Sequence, residues 1–95
     1  MRWPPPAQKG HVNYHWFDRF TLVHFAIGAA YGALGLSSFW ALFLAVAWET
    51  AENPMKAYFP YIFPNATADT WKNLVGDILA VMTGWFLASQ IVALA

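Results

Sequence analysis

Five side chains of this sequence have the chemistry and the spacing to share one polar pocket: His24, Glu49, Glu52, Asn73 and Asp77. Glu49 and Glu52 stand i, i+3, and Asn73 and Asp77 stand i, i+4, so each pair lies on one face of a helix. Carboxylates joined by one imidazole suit a divalent cation, and helix bundles build such centres from inward-facing Glu, Asp and His. In that reading His24, Glu49 and Asp77 are ligands and Glu52 a base. The same groups also suit a hydrogen-bonded polar plug that fixes helix register. A third reading is a site for a proton or a lipid headgroup. Haem or chlorin on a lone His24 is the least favoured. Asp18 and Asp69 belong at the rim, and for Glu52 and Asp69 taken singly an exposed end-cap is the ordinary use.

Three apolar stretches must position these groups. The last, about 71–94, is uncharged after Lys72 apart from Asp77, and it exceeds the roughly 20 residues that cross a bilayer core. A carboxylate inside such a stretch costs about 2.5–3.5 kcal/mol at a helix centre and less near an edge, so a specific packing must offset it. Projected at about 100° per residue, Asp69, Asn73, Gly76, Asp77, Ala80, Gly84 and Ala88 fall in one stripe, polar at one end and small along the rest. The first stretch, about 20–36, carries Gly28 and Gly32 as a GxxxG pair, which lets helix backbones approach closely in lipid. The second, about 39–52, is short and closes on Asn53-Pro54, a helix stop.

Between the second and third stretches, 53–70 is rich in proline and aromatics, and an interfacial loop is expected there. Thr67 or Asp69 is expected to cap the last helix. The first 18 residues are a Pro-led polar segment, extended or loosely ordered, ending in an aromatic cluster beside Asp18 and Arg19. Counting along helices from Arg19, Lys72 and Asn53 puts His24 and Asp77 about 7.5 Å deep and Glu49 about 6 Å deep, at one level.

Composition fits this class. Of 95 residues, 59% are hydrophobic and 11% charged, too apolar a balance for a soluble domain of this size. The expected fold is all-α, an integral membrane bundle of three transmembrane helices in one domain spanning 1–95. Net charge is zero with no basic run, so nucleic acid is excluded as a partner. No cysteine is present, which removes disulfides and thiolate chemistry. No signal peptide is read at the N-terminus. Arg2, Lys9 and Arg19 precede the first span, and Lys56 and Lys72 lie between the second and third. With three spans all five fall on one side, which the positive-inside rule makes cytoplasmic. The N-terminus is then inside and the C-terminus outside, in a bacterial cytoplasmic membrane. The sequon Asn65-Ala66-Thr67 falls on the cytoplasmic side and is discounted.

Asp18-Arg19 followed by His24 and Gly28 resembles the opening of the VanZ-like and YjdF-like bacterial membrane proteins. Trp48-Glu49-Thr50-Ala51-Glu52-Asn53 is similar to the E-x-x-E element that ends a middle helix in that group. Asp69, Asn73, Asp77 and Gly84 are similar to its D…N…D…G last helix. The resemblance runs in order from Asp18 to Gly84. It implies a helical membrane fold and the position of the site rather than a reaction; such proteins often have four or more spans.

Two function classes follow. One is an accessory subunit of a larger membrane complex, in contact with lipids and other membrane subunits, its polar cluster fixing the packing. The other is a metal-dependent membrane enzyme acting on a lipid-linked substrate.

Overall fold

A computed structural model of the chain describes residues 3–94; Arg2, one of the five basic residues used for orientation, lies outside the described residues. The described chain is all-helical, with α1 over Thr21–Ala33, α2 over Ser38–Tyr58 and α3 over Trp71–Leu94. α1 and α3 share the largest interface, α2 packs mainly on α3, and α1 and α2 barely touch.

Glycine sets the α1–α3 approach. A Cβ on Gly28 would overlap the Val81 carbonyl, one on Gly32 the Trp85 carbonyl, and one on Gly84 the Phe25 carbonyl. These glycines let the two backbones come into direct contact. Gly76, on the same face of α3, instead meets the carbonyl of Trp16 in the N-terminal segment. α1 ends in a Schellman turn: Leu36 N–H donates to Tyr31 O at 3.1 Å and Gly35 N–H to Gly32 O at 3.1 Å, with Gly35 at φ 82°. Ser37 then caps α2, and Trp85 Nε1 on α3 donates to the Leu36 carbonyl at 2.6 Å, pinning the turn.

α2 departs from the sequence expectation. The helix does not stop at Asn53-Pro54 but runs through Pro54 to Tyr58. Pro54 withholds an N–H from the Thr50 carbonyl, a local cost that ordinarily ends or kinks a helix. The added turn makes tertiary contacts that outweigh it: Asn53 Oδ1 accepts from Asp69 N–H at 3.1 Å, and Lys56 Nζ reaches Asp69 Oδ1 at 3.0 Å. The proline-aromatic loop is correspondingly shorter, 59–70.

The N-terminal segment is not loose. It pairs with that loop through a parallel bridge, Pro6 with Ala68, in which Ala7 N–H donates to Ala68 O at 3.0 Å and Ala68 N–H to Pro5 O at 2.7 Å. The cap of α3 is Thr70, not Thr67 or Asp69: its hydroxyl accepts from Asn73 N–H at 3.1 Å.

Burial is inverted relative to a soluble protein. The buried apolar residues are small (Ala7, Ala41, Ala45, Ala68, Ala80 and Val81), while Asn13, His24, Glu49, Asn53, Asn73 and Asp77 are buried beside them. Large apolar side chains face outward, with Leu22 at 76% exposure and Ile91 at 68%. The hydroxyls of Thr50, Thr83 and Ser89 bond back to carbonyls of their own helices, so these outer faces offer few unmet polar groups. Among the described residues, one helix is long and apolar enough to cross a membrane, α3, at 24 residues and mean hydropathy 1.6. α1, at 13 residues, covers only about 20 Å. The second half of α2 carries Glu49, Glu52, Asn53 and Lys56.

Candidate functional site

At the end of the bundle where α2 finishes and α3 begins, the polar side chains form two tiers. The outer tier is saturated with hydrogen bonds. Asn73 Nδ2 donates to the His15 carbonyl at 2.8 Å and to Asp18 Oδ2 at 2.7 Å. Asp18 Oδ1 accepts from Phe20 N–H at 2.7 Å, and Asp18 N–H donates to Thr21 Oγ1 at 2.8 Å, which organises the entry into α1. Asn13 Nδ2 donates to Thr67 O at 2.8 Å and to Asp69 Oδ1 at 2.7 Å, and Thr67 Oγ1 donates to Asn13 Oδ1 at 2.9 Å. Lys56 Nζ donates to Thr67 O at 3.2 Å and lies 3.6 Å from Glu52 Oε1.

The inner tier is different. His24 from α1, Glu49 from α2 and Asp77 from α3 meet with His24 Nε2 3.2 Å from Glu49 Oε1 and His24 Nδ1 3.5 Å from Asp77 Oδ1. Glu49 is 2% exposed and Asp77 3%. Apart from those approaches to the imidazole, His24 Nε2, both oxygens of Glu49, Asp77 Oδ1 and Glu52 Oε2 are buried without a hydrogen bond of good geometry. Buried carboxylate oxygens left unpaired are costly, more so than neutral groups.

The imidazole orientation sharpens the point. His24 Nδ1 lies 2.8 Å from the Phe20 carbonyl oxygen, which can only accept, so Nδ1 carries a proton. That is the arrangement by which a metal-binding histidine is ordinarily held, its second nitrogen left free for the ion. Nε2 then faces Glu49 Oε1, and either a proton or a metal ion must lie between them. One proton there leaves the second Glu49 oxygen, Asp77 Oδ1 and Glu52 Oε2 to be met by further protons on the carboxyl groups or by an ion.

Two sets of potential ligand atoms have all members within 4.8 Å of one another: one from His24, Glu49 and Glu52, the other from Glu49, Asp69 and Asp77. Ligands about 2.1 Å from a transition metal lie up to roughly 4.2 Å apart, so side-chain adjustments of under an ångström close either set on an ion. Glu49 is common to both.

Of the residues singled out in the sequence, His24, Glu49, Glu52 and Asp77 come together, and Asp69 lies beside them under Lys56. Asn73 belongs to the outer tier with Asp18. Gly28, Gly32 and Gly84 lie in the α1–α3 interface, Gly76 lies under Trp16, and Ala80 is buried at 6% exposure. Asn13, Asn53, Lys56 and Thr70 were not singled out. The one local signal among them was Lys56 at i+4 from Glu52.

A cavity of about 560 Å³ opens beside the two tiers, bounded by Asp18, Arg19, Trp48, Glu52, Lys56 and Asp77 among others. Comparison with models of known protein families, with curated proteins and with solved structures found no match to this chain.

Proposed function

We propose that this chain is a small integral membrane protein that carries one divalent cation on Glu49, His24 Nε2 and Glu52, with Asp77 on the Nδ1 side of the same imidazole. The observation that carries this reading is Glu49: it is 2% exposed, no hydrogen bond of good geometry reaches either oxygen although His24 Nε2 lies 3.2 Å from Oε1, and both sets of potential ligands include it. The oxygen-rich donor set with one imidazole suits an ion of the Mn²⁺ or Zn²⁺ kind. Such an ion would supply Lewis-acid polarisation of a phosphoryl or carbonyl oxygen at the cavity, which Glu52 and Asp77 line.

The membrane setting rests on the inverted burial and on α3. The molecule extends 45 Å along its longest axis, against about 30 Å for a hydrocarbon core. All three helices then cross or enter the bilayer, and the N-terminal segment with the loop 59–70 occupies the cytoplasmic headgroup layer. The sequence resemblance to VanZ-like proteins agrees with this placement. A reporter fused to the C-terminus is expected outside the cytoplasm; a cytoplasmic signal removes the three-span topology.

The test is metal analysis of the protein purified in mild detergent after dialysis with Mn²⁺ or Zn²⁺. Wild type is expected to hold one ion per chain, and Glu49→Gln less than about a tenth of that with its helicity kept. A wild type that stays metal-free and melts identically with and without chelator overturns the reading.

A second reading has its own observation. Phe39, Trp40 and Phe43 form a ring cluster on α2, each more than half exposed. That face suits an accessory subunit docking on a larger membrane protein. Co-purification of the tagged chain from its native membrane with stoichiometric larger chains supports it; recovery of the chain alone counts against it.

A further inference from the structure

α1 and α2 face each other across a gap, and the gap has a definite character. A second cavity of about 420 Å³ lies between them, lined by Ile27, Tyr31, Leu44, Ala47, Ala51 and Val81 among others. Its walls are almost wholly apolar. It shares His24, Ile27 and Trp48 with the larger cavity. The two spaces thus adjoin at those side chains: a chamber at the bundle end whose largely apolar wall also carries Asp18, Arg19, Glu52, Lys56 and Asp77, and an apolar trough along α1 and α2. Helices that pack in lipid ordinarily close such a gap with small residues, as α1 and α3 do here. Ala47 and Ala51, one turn apart on α2, are small, exposed and line the trough.

Charge at the chamber mouth is placed in the same pattern. Arg19 is exposed, lines the chamber and has no ion-pair partner among the described residues; its guanidinium lies 5.2 Å from the Phe20 ring centroid. A guanidinium held at a headgroup layer with its donors free is suited to the oxygens of a phosphate. His24, Glu52 and Asp77 line the same chamber as Arg19, so the candidate cation centre and the guanidinium border one space.

From the adjoining trough and chamber and the free guanidinium of Arg19, we infer that the occupant is a membrane lipid whose headgroup is an unsubstituted phosphate monoester, its phosphate between Arg19 and the His24–Glu49–Glu52 centre and one hydrocarbon chain in the α1–α2 trough. The amphiphile enters sideways from the bilayer, since the trough opens between two helices that do not close on each other. Only its headgroup side rests on the cation reading; the chain side rests on the trough alone.

Native mass spectrometry of the full chain in detergent, titrated with phosphatidic acid, phosphatidylcholine or diacylglycerol of the same acyl chains, tests this. Metal content is measured on each sample. Wild type is expected to retain one phosphatidic acid about tenfold more tightly than the other two. The trough-filling variants Ala47→Phe and Ala51→Phe, both at exposed positions, are expected to lose about tenfold in retention while keeping their metal. Arg19→Gln is expected to lower phosphatidic acid to the level of phosphatidylcholine and to leave diacylglycerol unchanged. Equal retention of all three lipids by wild type and trough-filled variants overturns the inference, whatever the metal content. Selective retention of phosphatidic acid by a protein without metal sustains the lipid site and removes only the cation from it.

Discussion

Asn73 on α3 donates one amide hydrogen to the Asp18 carboxylate at 2.7 Å and the other to the His15 carbonyl at 2.8 Å, so one buried side chain ties the start of α3 to the approach of α1. Both acceptors belong to irregular backbone that no helical hydrogen bond serves. Asn73→Leu keeps the volume and removes both donors. The expected loss is about 2–3 kcal/mol, because a hydrogen bond to a charged group contributes about 1.5–3 kcal/mol and the carboxylate is left without it. Thermal melting in detergent reads the change, and a melting curve superimposable on wild type would contradict the assigned role.

Glycines in the α1–α3 seam are expected to differ sharply from glycines elsewhere. Gly28→Ala drives a Cβ into the Val81 carbonyl, backbone that cannot rotate away. The helices must separate, at a cost of at least about 3 kcal/mol. Gly35→Ala meets nothing within 4 Å but sits at φ 82°, so its cost is the conformational one, about 1–2 kcal/mol. Gly10, also at positive φ and in open space, belongs with Gly35. If Gly28→Ala melts no lower than Gly35→Ala, the close α1–α3 approach is wrong.

How far the sequence reaches is clearest from particular residues. Counting helical rise from the flanking charges put His24, Glu49 and Asp77 at one depth, and the chain brings the three together, because regular helices convert spacing into depth. The stripe of small residues on the last helix likewise led to the seam holding Gly84. Asn13 stayed invisible because its partners, Thr67 and Asp69, lie 54 and 56 residues away on irregular backbone. No periodicity encodes such a contact. Lys56 was missed for a related reason. Pro54 locally signals a stop, and only the tertiary contacts of Asn53 and Lys56 carry the helix past it.

Lys56 sits 3.0 Å from Asp69 and 3.6 Å from Glu52, beside the inner tier. It offsets part of the negative charge that would otherwise attract a cation. Lys56→Met is therefore expected to move two properties in opposite directions. Without divalent ions the protein loses about 1–3 kcal/mol, since Asp69 and Glu52 lose a buried charged partner. Cation affinity rises, by about tenfold, as one positive charge leaves the neighbourhood. Melting with and without chelator separates the effects: the gap between the two curves should widen relative to wild type. A gap that narrows places Lys56 in the cation site rather than against it.

The inner tier also allows a test of whether the fold needs its charges. Without a bound cation, five buried polar atoms lack a hydrogen bond of good geometry, and such a group costs more than it contributes. Replacing one member leaves the others uncompensated, so Asp77→Ala alone is expected to be ambiguous. Replacing all three is different: His24→Leu, Glu49→Leu and Asp77→Leu together exchange an unpaired polar cluster for apolar side chains that neighbour buried Ala45, Ala80 and Val81. Buried ionic sets exchanged for well-packed apolar residues are often neutral or stabilising by about 1–4 kcal/mol. The triple variant is expected to insert, to melt at or above chelator-treated wild type, and to show no response to Mn²⁺, Zn²⁺ or chelator. The outer tier, with Asn73, Asp18, Asn13 and Lys56 intact, continues to hold the ends of the helices. Should the triple variant fail to assemble while chelator leaves wild type unchanged, the cluster is a structural plug held by protons, and the cation centre falls with it.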